Sequence, residues 1–180
     1  HGQGLFTRDL LDFLKGGVRL GSRELFITEA CEYVESFLTL RPTIALVNNI
    51  DNDHLDYYGD MEHIVEAFRK FIVLLPENGL LLGCADDPRV AMLFAQHAGR
   101  KLSYGVKDAD YTPANVAFDD DGCASFDLVF RGETLGSIAL RVPGEHAVID
   151  AVAAAAVALA LGAPMDSISG ALSRFENTRR

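Results

Sequence analysis

Tryptophan is missing from the sequence, there are only three cysteines and three methionines, and basic side chains are few: 16 Lys and Arg against 26 Asp and Glu. Each shortage excludes something. A formal net charge of −10 disfavours nucleic acid or an anionic membrane as the principal partner, since both require clustered cations. Cys31, Cys84 and Cys123 are far apart and odd in number, and none belongs to a CxxC or Cys/His cluster at zinc spacing. A reduced, cytoplasmic protein is therefore expected. No apolar run reaches the roughly 18–20 residues of a membrane span, and no secretory signal is visible. The longest candidate, AVIDAVAAAAVALALG, carries Asp150 and reads as a packed soluble helix. Motifs are missing too: no GxxxxGK[ST] phosphate loop, GxSxG, HExxH or GxGxxG occurs, and KGGVRLGS has glycines without the Lys-Ser/Thr that would follow.

What is present is an alternation of strand-length apolar runs and helix-length amphipathic segments. Leu25 to Ala30, Thr43 to Ile50, Gly79 to Ala85 and Arg100 to Gly105 are apolar on successive positions, as in a parallel sheet buried on both faces. Helices are predicted over Met61–Leu75 and Pro88–Ala98, with Asp60 and Asp87 as N-caps and Pro88 in the first turn. From about 106 to 143 the runs shorten and turn signals appear, predicting a small antiparallel β unit of ANVAF, CASFDLVF and LGSIALRV. Helices return at Glu145–Leu161 and Met165–Phe175. The start reads as a tail over residues 1–5 and a short helix over Thr7–Leu14. The expected fold is α/β: a doubly wound, mostly parallel sheet with helices on both faces, plus a small antiparallel β subdomain.

In such sheets ligands bind outside the carboxyl ends of the strands. Two strands end in groups suited to a hard cation. LFITEACEY delivers Glu29, with Glu32 in the loop, and TIALVNNIDNDHLD delivers Asp51, Asp53, His54 and Asp56. If the two strands are neighbours, Glu29 and His54 converge on one Mg2+ or Mn2+, with water or phosphate oxygens completing the shell. The competing reading is a solvated acidic turn and a structural histidine. A metal-dependent phosphohydrolase using Glu29, Asp53 and His54 has no phosphate-holding loop to support it.

EACEYVESFLTLRPTIALVNNIDNDHLDYYG resembles the central domain of the Mur ligases, in which a strand ending Glu-Ala-Asp/Cys-Glu precedes Ser-Phe-Leu, a Pro and an Asn-Ile-x-x-Asp-His-x-Asp turn. VPGEHAVIDAVAAAAVALALG resembles that family's Pro-Gly-x-His-Asn-x-x-Asn-Ala helix, and ALSRFENTRR its boundary into a further domain. The resemblance runs from about Gly16 to Arg180. It implies an ATP- and Mg2+-dependent ligase of peptidoglycan synthesis that joins L-alanine to UDP-N-acetylmuramate through an acyl phosphate. It further implies that Glu29 and His54 ligate the metal and act in catalysis, and that His146, Asp150 and Arg180 lie around the nucleotide.

The chain also departs from the family pattern. The phosphate loop and the flanking domains are absent, and Ala147 and Asp150 stand where the family carries two asparagines. Ala147 cannot hydrogen-bond through its side chain, and Asp150 cannot donate as an amide does. The expectation is a piece of a longer ligase, inactive by itself. The alternative is a non-catalytic binding module that kept the fold. A sheet edge left open would invite self-association.

Overall fold

The computed structural model describes residues 4–11, 16–19 and 24–176. Two sheets organise them. The smaller consists of β1 (Gly4–Leu11), β2 (Gly16–Arg19) and β3 (Phe26–Thr28), in the order β2-β1-β3, with β1 antiparallel to β2 and parallel to β3. The larger has six strands in sequence order: β4 (Ile44–Val47), β5 (Leu80–Cys84), β6 (Arg100–Tyr104), β7 (Tyr111–Phe118), β8 (Cys123–Phe130) and β9 (Glu133–Pro143). Strands β4 to β7 run parallel, and β7 to β9 are antiparallel. The antiparallel unit read from the sequence is present, and the pairing of Tyr104 with Tyr111 makes it continuous with the parallel strands.

Three expectations change. The segment at Thr7–Leu14 is not helical where it is described: Gly4–Leu11 is a strand, because pairing with β2 and β3 supplies the backbone bonds that a short isolated helix lacks. Gly4 and Leu5, read as tail, open that strand, while residues 1–3 and 12–14 lie outside the described residues. The strand from the Leu25–Ala30 segment does not join β4; it is β3, and its partner is β1.

The crossovers behave as their sequences dictate. Helices α1 (Leu55–Tyr58) and α2 (Met61–Val73) link β4 to β5, and α3 (Pro88–Gln96) links β5 to β6. In α2 the apolar spacing buries Ile64, Ala67, Phe71 and Ile72 along one face. Asp60 caps α2 by accepting from the His63 N–H, and Asp87 caps α3 by accepting from the Arg89 and Val90 N–H groups. Both crossovers step the same way along the sheet, so right-handed connections put α2 and α3 on one face, where Arg69 donates to Gln96. Gly83 permits that packing, since a Cβ there would stand 2.9 Å from the Phe94 ring. Helix α4 (Glu145–Ala160) covers the other face and touches all six strands. Its buried alanines, Ala147, Ala151, Ala153, Ala155 and Ala156, allow this close approach. Helix α5 (Met165–Leu172) packs on β9. The core is densest at β5, where Leu80, Leu81, Leu82, Gly83 and Cys84 are all buried, as expected for a strand covered on both faces.

The junction between the parallel and antiparallel halves is held by Asp110. Its carboxylate accepts from the Ser103 N–H at 2.8 Å, the Ser103 hydroxyl at 3.1 Å and the Arg131 guanidinium at 2.7 Å. Burial pushes the Asp110 carboxyl up, but these donors outweigh it and hold the group below the usual carboxylate range. A depressed carboxylate adds stability above its unfolded pKa of about 3.9, and this is lost as pH falls through the folded value. The urea midpoint of the native protein is therefore expected to fall more steeply below about pH 4 than that of Asp110→Asn. Parallel acid limbs for the two proteins would contradict this.

Candidate cation site

The exit from β4 is fixed before any functional group is reached. Tyr104, at the end of β6, donates its hydroxyl to the Val47 carbonyl at 3.2 Å and to Asn48 Oδ1 at 2.5 Å. Burial drives the Tyr104 hydroxyl pKa far upward, so it stays a donor. Ile50 is buried, its N–H faces Asp87 Oδ2 at 3.5 Å, and its carbonyl accepts from Arg89 at 3.2 Å. The turn that follows, 51–54, is thus hung from two rigid elements.

His54 ends that turn in the left-handed region, with φ of 56°, at the N-cap of α1. The Asp53 carboxylate accepts from the His54 N–H at 3.0 Å. From the other side comes the loop after β3. Cys31 and Glu32 lead into a 3-10 segment, Tyr33–Thr39, that is broken by a left-handed pair, Val34 and Glu35. For a β-branched residue such as Val34 this conformation costs on the order of 1–3 kcal/mol and persists only where neighbours impose it. The neighbours here are specific. Phe37 is buried, its N–H and the Ser36 hydroxyl both donate to the Cys31 carbonyl, and Lys70 of α2 pairs with Glu35 at 3.0 Å.

These two loops bring Glu32, Asp53 and His54 together. His54 Nε2 lies 3.4 Å from Glu32 Oε1, and His54 Nδ1 lies 4.0 Å from Asp53 Oδ1. One donor atom from each of the three residues falls within 4.8 Å of the others. Donors around an octahedral ion with bonds of about 2.1 Å stand roughly 3 Å apart when adjacent and 4.2 Å when opposite. The three donors lie at spacings close to these, with the Glu32 and His54 atoms at 3.4 Å. Two carboxylates and an imidazole suit a hard divalent cation such as Mg2+ or Mn2+, and three protein donors leave positions for water or phosphate oxygens. The Tyr33 ring lies 4.7 Å from the His54 ring and shields one side.

The residues expected from the sequence are distributed unevenly. His54 is in the cluster. Glu29 is exposed, just past β3 and three positions before Glu32, and is not one of the three clustered donors. Glu32 is the carboxylate of this loop that stands beside His54, followed at once by the left-handed pair Val34 and Glu35. The signal was the doubled acid in Glu-Ala-Cys-Glu, which spacing alone could not resolve.

His146 and Asp150, one helical turn apart on α4, line a cleft of about 410 Å3 between β9, α4 and α5, together with Val142, Ala147, Ala151 and Phe175. Burial raises the Asp150 carboxyl pKa, and the nearby His146 opposes the shift. Arg180 lies outside the described residues.

The model of the Mur ligase middle domain matches residues 16–158. The chain is 44% identical over 170 residues to a UDP-N-acetylmuramate–L-alanine ligase of Clostridium kluyveri, an alignment covering 94% of this chain and 37% of that protein. It is 42% identical, with the same coverages, to the ligase of that name from Clostridium tetani. The chain thus spans little more than a third of the length of these relatives. Among solved structures, the UDP-N-acetylmuramate–alanine ligase of Thermotoga maritima superposes with a TM-score of 0.83 at 25% identity, over 99% of this chain and 39% of that one. The UDP-N-acetylmuramate:L-alanyl-gamma-D-glutamyl-meso-diaminopimelate ligase of Neisseria meningitides superposes with a TM-score of 0.85 at 22% identity, over 99% and 59%, which bears on the fold alone.

Proposed function

The chain belongs to the Mur ligase family, and from that premise we propose that it is the cation- and nucleotide-handling part of an ATP-dependent ligase that joins L-alanine to UDP-N-acetylmuramate in the cytoplasm. The observation that carries this reading is the convergence of Glu32, Asp53 and His54 at the carboxyl end of β4. A divalent cation bound there supplies charge neutralisation between phosphate oxygens and an attacking carboxylate. The chain's own residues do the rest. Glu32 and Asp53 provide negative charge, His54 provides a directional nitrogen donor, and Tyr33 limits access of water on one side. Glu29, on the same loop, is a candidate for a further carboxylate contact.

His146 and Asp150 are the proposed nucleotide contacts on the cleft wall, with Arg180 beyond the described residues as a third. Ionised, Asp150 accepts from a base N–H but donates nothing; protonated, it does both, as an amide would. No helix among the described residues is long and apolar enough to cross a membrane. Strand β4 ends its sheet among the described residues, and Leu46 on it is exposed, so this edge is the proposed place for self-association.

Thermal unfolding with and without Mn2+ or Mg2+, and with millimolar ATP or ADP, tests the reading. A ligand at a hundredfold excess over its Kd stabilises the folded state by about 2.7 kcal/mol, which for a chain of this size is roughly 5–11 °C in Tm. The expected result is a shift that requires the cation and grows with nucleotide. The second reading, a non-catalytic module that kept the fold, rests on Ala147 and Asp150 standing in for asparagines. It gains if neither cation nor nucleotide moves the Tm.

A further inference from the structure

The cation cluster is drawn from two loops that no strand pairing connects among the described residues, since β3 and β4 belong to different sheets. Something else must keep Glu32 beside His54. Tyr58 is placed to do so. It is buried, at 7% exposure, and sits one helical turn after His54, with its N–H donating to the His54 carbonyl at 3.0 Å. Its hydroxyl reaches across and donates to the backbone carbonyl of Glu32. That carbonyl also accepts from the Glu35 N–H at 2.9 Å, so the bond is made at the start of the left-handed pair.

We propose that Tyr58 is the positioning residue of the cation site: its hydroxyl ties the peptide of Glu32 to the helix that begins at His54, and so sets the distance between the two ligands. This rests on the cation reading given above. Two features distinguish the bond from ordinary packing. It meets the loop after β3 at Glu32 itself, and it starts from the helix whose N-cap is His54. The segment it restrains, 32–35, also carries left-handed residues that relax toward common conformations once a restraint is removed. Outer partners that orient metal ligands are commonly worth 10–100-fold in metal affinity, and Tyr58 is such a partner for the carboxylate arm.

The test uses the full chain and Tyr58→Phe, which keeps the buried ring and removes only the hydroxyl, with Tyr57→Phe as the neighbouring control. Mn2+ affinity is measured by calorimetry or by the free-ion paramagnetic signal, and amide hydrogen exchange is followed over residues 31–37 without metal. Tyr58→Phe is expected to bind Mn2+ at least tenfold more weakly and to exchange faster at 32–37, while Tyr57→Phe matches the native protein in both. Native-like Mn2+ affinity in Tyr58→Phe overturns the proposal. If the native chain binds no Mn2+, the cation reading fails by itself, and the exchange data still decide the tie: faster exchange in Tyr58→Phe upholds it, and unchanged exchange refutes it.

Discussion

Phe37→Ala is expected to cost about 3–5 kcal/mol, the range for truncating a buried phenylalanine, and to lower the Tm by roughly 6–20 °C. The side chain is 2% exposed. Its ring stacks on Phe71 at 4.8 Å with 12° between planes and meets Phe68 edge-on at 5.3 Å, so it is the main apolar bond between the loop after β3 and helix α2. Removing it leaves a cavity against a helix that is itself pinned to the sheet by Ile64 and Ala67 and has little freedom to collapse. The effect is not confined to stability. The loop that presents Glu32 is anchored at one end by Phe37, and the left-handed Val34 and Glu35 lie between the two. Cation affinity should therefore fall with stability, whereas an equally buried site remote from this loop, such as Ile138, should lose stability alone when cut back to alanine. Chemical denaturation and Mn2+ titration of the two variants separate these outcomes. Equal Mn2+ affinity in both would show that Phe37 holds the core but not the site.

The second large effect divides two neighbouring acids. Glu32→Ala is expected to reduce Mn2+ affinity by two orders of magnitude or more, or about 2.7 kcal/mol, because it deletes a carboxylate 3.4 Å from His54 Nε2 and leaves the site one charge poorer. Glu29→Ala should have a much smaller effect, since its side chain is exposed and lies outside the three clustered donors. His54→Ala should match Glu32→Ala, because loss of either leaves the cation with two ligands from this cluster. Calorimetric titration of the three variants reads the difference directly. If Glu29→Ala abolishes binding and Glu32→Ala spares it, the cation is held by the pair implied by the family resemblance, and the loop after β3 turns the other acid inward.

The contrast between these two glutamates marks the limit of sequence reading here. Periodicity sufficed for β4, β5, β6, α2, α3 and α4, because a run such as LLLGC or an Ile64-Ala67-Phe71 face has one low-energy environment in a layered α/β fold. Asp60 and Asp87 were legible as caps for the same reason: a short acceptor before an apolar periodic segment satisfies amides that have no other partner. His54 was legible through its turn, and the Mur ligase resemblance through the order of its motifs.

Local sequence did not decide the rest. TRDLL has helical spacing but lies in a strand, continuing from Gly4–Phe6, which pairs with β3, to Leu11, which pairs with β2. The bond of Tyr58 to the Glu32 carbonyl joins positions 26 residues apart in the chain. Which of Glu29 and Glu32 faces His54 depends on the backbone between them, and that backbone is set by Phe37, Lys70 and Tyr58, all distant in sequence or on other elements. The sequence by itself determined the layers, the caps and the family, since these follow from short-range pattern. Only the tertiary structure decided that Glu32, Asp53 and His54 stand together, since a left-handed turn is a strain that remote contacts must impose.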